Sequence, residues 1–250
     1  MTDQNNKFDS YYSDYYKRLI PATRAGWRWV IDRIELNFGE YFDGIPRDKA
    51  ILDIPCGVGY LEHYLLEKKF ERICAVDVSK EQVEIAKAKL EEYGIDLNGK
   101  VTFFIENALE YLRKKHTYSA IAMIDFLEHL DNQGIAEVLN LAYVSLDEKG
   151  FLFVRVPNSE NPFWRFFFYK DPTHATPLTS KDIHRYLKLA NFEIIKIDYE
   201  ISPKIIKKEI KSLTNLKKLM RKAIIFSLSK IFNIDPRAFS RDLVAVAVKR

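Results

Sequence analysis

Cysteine is nearly missing from this chain: Cys56 and Cys74 are its only two. That is too few for a disulfide framework, and neither sits in the paired spacing of a zinc site, so a reducing, cytoplasmic setting is expected. No continuous apolar run reaches membrane-spanning length, which leaves a soluble or at most peripheral protein as the expectation. Met1 to Asn6 is polar and lacks the apolar core of a signal peptide. Internal repeats and low-complexity tracts are missing too, which sets aside solenoids and compositionally biased chains. What the chain does have is 250 residues, 47% of them hydrophobic, enough for one full core with appendages but not for a second large domain.

The formal net charge is only +4, and it hides an asymmetry. Between Pro203 and Phe232 nine basic residues face Glu209 alone, so that segment carries +8 and the remainder −4. A net acidic body without an RNA-binding signature makes nucleic acid the less favoured partner.

The richest local signal is Ile51-Leu52-Asp53-Ile54-Pro55-Cys56-Gly57-Val58-Gly59-Tyr60-Leu61. An apolar run ending in a carboxylate, then a small-residue turn, then a helical pattern reads as strand, tight loop, helix. That arrangement brings loop N–H groups and a helix N-terminus toward one ligand. Gly57 and Gly59 allow a sharp turn and a close approach to the main chain, although two nearby glycines also make an ordinary turn. A dinucleotide fingerprint needs a third small residue three positions after the second glycine. Glu62 stands there. Asp77, closing the next apolar run Ile73-Cys74-Ala75-Val76, is suited to accept both hydroxyls of a ribose.

The combination Leu52-Asp53-x-x-Cys56-Gly57-x-Gly59, followed 24 residues after Asp53 by Asp77, resembles the S-adenosylmethionine-dependent methyltransferases of the large Rossmann-like class. The resemblance covers residues 47–200 and the last strand. It implies an α/β fold: a seven-stranded, mostly parallel sheet in the order 3-2-1-4-5-7-6, with strand 7 antiparallel and helices on both faces. It also implies S-adenosylmethionine as cofactor, with Asp53, Cys56, Gly57, Gly59, Asp77, Val78, Asn107, Ala108 and Asp125 as contacts. Pro55 departs from the family, which often has glycine there, and removes an N–H from the loop. Asn107-Ala108 stands where relatives often carry Asp-Ala against the adenine. The Asn107 oxygen keeps an acceptor for the adenine amino group, and the residue is equally suited to cap a helix.

In chain order, tyrosines at 11, 12, 15 and 16 precede a helix from Thr23, a plausible cap, to about Phe38. Residues 1–46 form an expected N-terminal helical cap, in which Tyr16 and Arg24 reach a ligand or, alternatively, the aromatics simply pack the helix. Strands then alternate with helices at parallel-sheet spacing. Strands are predicted over 50–54, 72–76, 101–105, 118–124, 150–156, 192–199 and 243–248. Helices are predicted over 59–68, 80–93, 108–114, 133–146 and 180–190. The catalytic domain is thus expected over 47–200 and 240–250, with 201–239 as a basic helical insertion.

A second focus follows strand four: Ile124-Asp125-Phe126-Leu127-Glu128-His129-Leu130, at the carboxyl end of a central strand, where open α/β sheets bind ligands. It resembles the Glu-x-x-Glu-His loop of ubiquinone-pathway O-methyltransferases and of small-RNA 3′-terminal 2′-O-methyltransferases, with Asp125 standing for the first glutamate. That likeness implies a divalent metal, magnesium, manganese or zinc, held by Asp125, Glu128 and His129, with His174 of Asp171-Pro172-Thr173-His174 as fourth ligand. The alternative is that Glu128 and His129 orient substrate without metal. Glu128, His129 and His174 are the catalytic candidates. A hydroxyl acceptor must lose its proton on attack, which requires a base or a metal. His184 reads as a surface or packing residue. The aromatic loop from Val156 to His174 reads as the acceptor-binding region and is similar to that of glycan-associated methyltransferases.

The expected activity is therefore O-methylation of a small molecule or glycan, the glycan in one version lipid-linked. The alternatives are a metal-dependent RNA ribose 2′-O-methyltransferase and a non-catalytic cofactor-binding partner protein. Ile206, Ile210, Leu213, Leu216, Met220, Ile224, Leu228 and Ile231 recur at three- or four-residue spacing between lysines, as one apolar helical stripe does. Residues 203–232 are accordingly expected either to touch an anionic membrane as an interfacial helix or to pack on the domain or a second subunit.

Overall fold

The computed structural model describes residues 21, 23–97, 99–114, 116–203, 213–232 and 234–250. The chain divides into two compact units, parting at residues 114 and 115. The first contains α1 (Arg24–Asp43), β1 (Ala50–Asp53), α2 (Tyr60–Glu67), β2 (Arg72–Asp77), α3 (Lys80–Glu92), β3 (Val101–Ile105) and the short α4 (Ala108–Leu112). Thr23 does cap α1, its side chain accepting from the Gly26 N–H. The helix runs past the expected Phe38 to Asp43 because Phe38 and Phe42 continue the buried stripe begun by Trp27, Ile31 and Ile34. Each such fully buried side chain contributes about 1.5–3 kcal/mol, enough to carry the helix one more turn.

Helix α1 is clasped to α2 by polar contacts inside this apolar seam. Trp27 Nε1–H donates to His63 Nδ1 at 3.0 Å, which leaves the His63 proton on Nε2, facing Glu67 at 3.2 Å. Tyr64 donates to Glu35 at 2.7 Å. Trp27 also packs against Tyr60, with ring centroids 4.4 Å apart. The described aromatics of this segment thus pack the helix, and the tyrosines at 11–16 lie outside the described residues. Arg24, expected near a ligand, donates to the Tyr93 carbonyl and lies over its ring.

The second unit contains β4 (Tyr118–Ile124), a 3-10 turn (Leu127–His129), α5 (Asn132–Val144), β5 (Leu146–Pro157), α6 (Trp164–Phe168) and α7 (Ser180–Leu189). It continues with β6 (Glu193–Tyr199), α8 (Leu213–Phe232), a second 3-10 turn (Pro236–Phe239) and β7 (Asp242–Val248). The strand order is β3-β2-β1-β4-β5-β7-β6. Strands β1, β2 and β3 pair parallel, as do β4 and β5, whereas β7 runs antiparallel to both β5 and β6. This is the order and the antiparallel strand that the resemblance implies. Parallel strands covered on both faces need continuous apolar runs; Ile51 and Leu52 of β1 and Ala120 to Met123 of β4 are accordingly wholly buried.

Two elements differ from expectation. Strand β5 starts at Leu146, because Tyr118 pairs with Leu146 and Ala120 with Phe151, and an irregularity absorbs the residues between. The aromatic loop contains one helical turn, α6, with Phe168 buried as its anchor. In α8, Met220, Ile224 and Ile231 of the expected stripe are exposed, while Ile206 and Ile210 lie outside the described residues. No helix among the described residues is long and apolar enough to cross a membrane.

Candidate active site

The glycine loop of the first unit is held shut by its own hydrogen bonds. Cys56 N–H donates to the Val76 carbonyl at 2.8 Å, and Gly59 N–H to the Cys56 carbonyl at 3.2 Å. Gly57 N–H donates to Asp77 Oδ2 at 2.9 Å, and Asp77 Oδ1 accepts from Ser79 N–H at 2.8 Å. Gly59 has φ of 92°, and a Cβ on it would meet Ala86 Cβ of α3 at 3.0 Å. Only glycine satisfies both the left-handed backbone and that approach. The expectation that the loop turns its N–H groups toward a ligand is therefore corrected at three of its positions: tight closure consumes them.

What the loop presents instead is negative charge. Asp53, Glu62 and Asp77 are all buried around it. Burial raises the Cys56 thiol first, and Glu62, Asp53 and Asp77 then raise it further, so it stays protonated and unreactive. Burial also raises Asp77, against the N–H groups of Ser79 and Gly57, which pull it down. Neither Glu62 oxygen is met by a well-placed N–H or O–H donor; burial raises this carboxyl to about 7, its own N–H and then Asp53 lower it, and Asp77 raises it. Glu62 and Asp53, two buried carboxyls in contact, hold a proton between them. The negative charge left on these buried acids repels a pyrophosphate and favours a cationic group. Val78, just after Asp77, is exposed and offers an apolar surface at the carboxyl end of β2. Asn107 spends its side-chain oxygen on the helix cap, accepting from Leu109 N–H at 2.9 Å and Glu110 N–H at 3.4 Å. Its amide N–H, not the expected oxygen, is what remains for a base, with Ala108 opening α4 beside it.

In the second unit the main chain brings His174 to the turn after β4. Ala175 and Thr176 N–H donate to the Glu128 carbonyl at 2.8 and 3.0 Å, and the Thr176 hydroxyl donates to the Leu130 carbonyl at 2.6 Å. One ligand atom each from Glu128, His129 and His174 then lies within 4.8 Å of the others. His174 Nδ1 is 2.8 Å from the Phe168 carbonyl, which can only accept, so the proton sits on Nδ1 and the lone pair on Nε2. That Nε2 is 3.9 Å from Glu128 Oε1. Burial, then His174, lowers the pKa of His129, leaving it neutral. Glu128 is buried with no well-placed donor to either oxygen, and burial followed by the Asp125 charge raises its pKa well above the ordinary range. An orphaned buried carboxyl beside two imidazoles is a donor set that a divalent cation fits.

Asp125 is not brought into this cluster. Its carboxylate is gripped on both oxygens by Arg155 of β5, at 2.8 Å on Oδ1. Arg155 also lies 3.6 Å from Glu200. Neither Arg155 nor Glu200 stood out in the sequence, where an arginine inside an apolar strand was the available signal. The aromatic loop is fixed by Asn158 and Asn161, whose side-chain N–H groups donate to the carbonyls of Ala238, Phe239 and Ser240 at 3.0–3.1 Å. His184, read as a surface residue, is exposed on α7.

A family model described as a methyltransferase domain matches residues 26–197. A SAM-dependent methyltransferase from Archaeoglobus fulgidus shares the fold at 22% identity, with 89% of this chain and 94% of that one covered and a TM-score of 0.65. Magnesium protoporphyrin IX methyltransferase from Synechocystis PCC 6803, solved with bound SAH, shares it at 16% identity over 100% of this chain and 99% of that one, TM-score 0.66. At such identities the solved structures speak for the fold, and the match along the chain speaks for the family. An acid-lined glycine loop on a sheet of order 3-2-1-4-5-7-6, within that match, places the chain in the Rossmann-like class of S-adenosylmethionine-dependent methyltransferases, the family to which it belongs.

Proposed function

We propose that this protein transfers the methyl group of S-adenosylmethionine to a hydroxyl of a small molecule or glycan. The observation that carries the reading is the cluster of Glu128, His129 and His174 at the carboxyl end of β4. The cofactor supplies an electrophilic methyl and its own leaving group, so the protein's work is positioning and proton removal. Asp77 would hold the ribose hydroxyls, and the buried Asp53 and Glu62 favour the cationic end of the cofactor over a phosphate. His174, with its proton fixed on Nδ1 by Phe168, offers Nε2 to take the acceptor proton, and His129 is neutral and equally able to accept it. If a divalent ion is bound, Glu128, His129 and His174 would hold it, and it would supply Lewis-acid polarisation of the hydroxyl. In either case a hydroxyl acceptor has a use for this cluster that a more nucleophilic amine or thiolate lacks.

Radiolabelled cofactor offered with quinol precursors, glycans and short RNAs tests the reading. The label is expected in an alkali-stable ether of a non-RNA acceptor, and His129→Ala and His174→Ala are each expected to lower turnover roughly a hundredfold or more with cofactor binding kept. If a metal takes part, chelation abolishes turnover and a divalent ion restores it. Full activity through both exhaustive chelation and His129→Ala would contradict a role for the cluster, and label in RNA ribose would favour the 2′-O-methyltransferase alternative.

A further inference from the structure

Helix α6 exposes three aromatic rings on one side. Phe163 and Tyr169, which flank the helix, and Phe166 within it recur every three residues and are 55%, 66% and 68% exposed. Between and after them Arg165 and Lys170 are also exposed, with Lys170 Nζ 4.4 Å from the Phe166 ring centroid. Large apolar rings rimmed by cations on a surface mark an interaction site, because leaving them in water gains nothing for the fold.

A second apolar exposure lies on α8. Met220, Ile224 and Ile231 fall within about 40° of one another around the helix and are all more than half exposed, in a segment whose sequence carries nine basic residues against one acidic. Both elements are attached to the same loop. The Phe163 ring lies 6.3 Å from that of Phe239 in the turn after α8, and Asn161 donates to the carbonyls of Phe239 and Ser240. Phe168, buried on the inner side of α6, is the residue whose carbonyl fixes His174.

We propose that α6 and α8 together form a contact surface for an anionic lipid bilayer, and that the acceptor is an amphiphile presented at that interface. Phenyl rings and aliphatic side chains next to Lys and Arg are the composition of an interfacial element. Methionine and isoleucine do not stack on bases or sugars as aromatics do, which disfavours RNA and free glycans as occupants of α8. Docking a second copy face to face would set the two basic segments against each other, whereas an anionic headgroup layer neutralises them, with each well-placed cation contributing favourably. The inference deepens the acceptor reading above and rests on it. Vesicle binding is measured without turnover, so its failure and the failure of O-methylation are separable.

The test is flotation of the full chain with phosphatidylcholine vesicles, with and without phosphatidylglycerol. Binding is expected only with the anionic lipid, and it should weaken as salt rises. The combined variant Phe163→Ser, Phe166→Ser, Tyr169→Ser should lower partitioning about tenfold or more, as should Met220→Ser, Ile224→Ser, Ile231→Ser, with S-adenosylmethionine binding retained as the check on folding. Leu189→Ser, at an exposed leucine of α7, should change nothing. No flotation at low salt overturns the proposal, as do flotation indifferent to both triple variants, a stable dimer abolished by them, and tighter binding to a short RNA than to anionic vesicles.

Discussion

Glu62 is a residue whose protonation differs between the folded and the unfolded chain. Its carboxyl is wholly buried and raised from 4.5 to about 7, first by desolvation. Between those values the folded state holds a proton that the unfolded state has released, so stability falls as pH rises through that window and is flat outside it. Denaturant unfolding of the cofactor-free protein at pH 5 and pH 8 should show that loss, to which Glu62 contributes about 3 kcal/mol. Glu62→Gln keeps the shape, removes the titrating carboxyl and should flatten the slope by that residue's share. An unchanged slope would mean that Glu62 is not the buried acid. At this scale the sequence was partly legible. The break in the dinucleotide pattern at Glu62 was visible, but that the side chain turns inward toward Asp53 was not, because a helix-start glutamate is ordinarily solvated. His174 was legible through Asp171-Pro172-Thr173-His174. Asp125 was misplaced as a metal ligand because the Arg155 that grips it is thirty residues away and only strand pairing brings them together.

At the scale of elements, the β1–α2 turn has one position with no substitute. Gly59→Ala forces a Cβ into left-handed backbone and against Ala86, a combined cost of about 1–3 kcal/mol. Gly94 has φ of 72° and open space within 4 Å of where a Cβ would stand, so Gly94→Ala carries the backbone cost alone. Thermal unfolding should rank Gly59→Ala below Gly94→Ala, and S-adenosylmethionine affinity should fall only in the former. Equal melting temperatures would show that the contact with α3 is dispensable. Element type was readable because strands here are short apolar runs between helices; Asn107 does cap its helix, and Ser79, Asp131 and Thr179 are found capping theirs. Helix α6 was not readable: Trp164 to Phe168 is so rich in aromatics that its apolar run carries no helical period, and its turn is anchored by tertiary burial of Phe168.

For the molecule as a whole, the order of the seven strands could be anticipated only through the family resemblance, since alternation of strands and helices fixes a parallel sheet but not its permutation. The antiparallel β7 likewise came from the resemblance, and local sequence does not record direction. What physics adds at this scale is the sign of the site. Asp53, Glu62 and Asp77 converge under one glycine loop of which three N–H groups are already spent, an arrangement suited to a cationic nucleoside cofactor and unsuited to a dinucleotide. Calorimetric titration of the intact chain tests this most directly. The account predicts one S-adenosylmethionine bound per chain, no heat and no competition from NAD, and a roughly tenfold or greater loss of affinity in a folded Asp77→Asn protein, as removal of a charged acceptor implies. Competition by NAD, or wild-type affinity in Asp77→Asn, would contradict it.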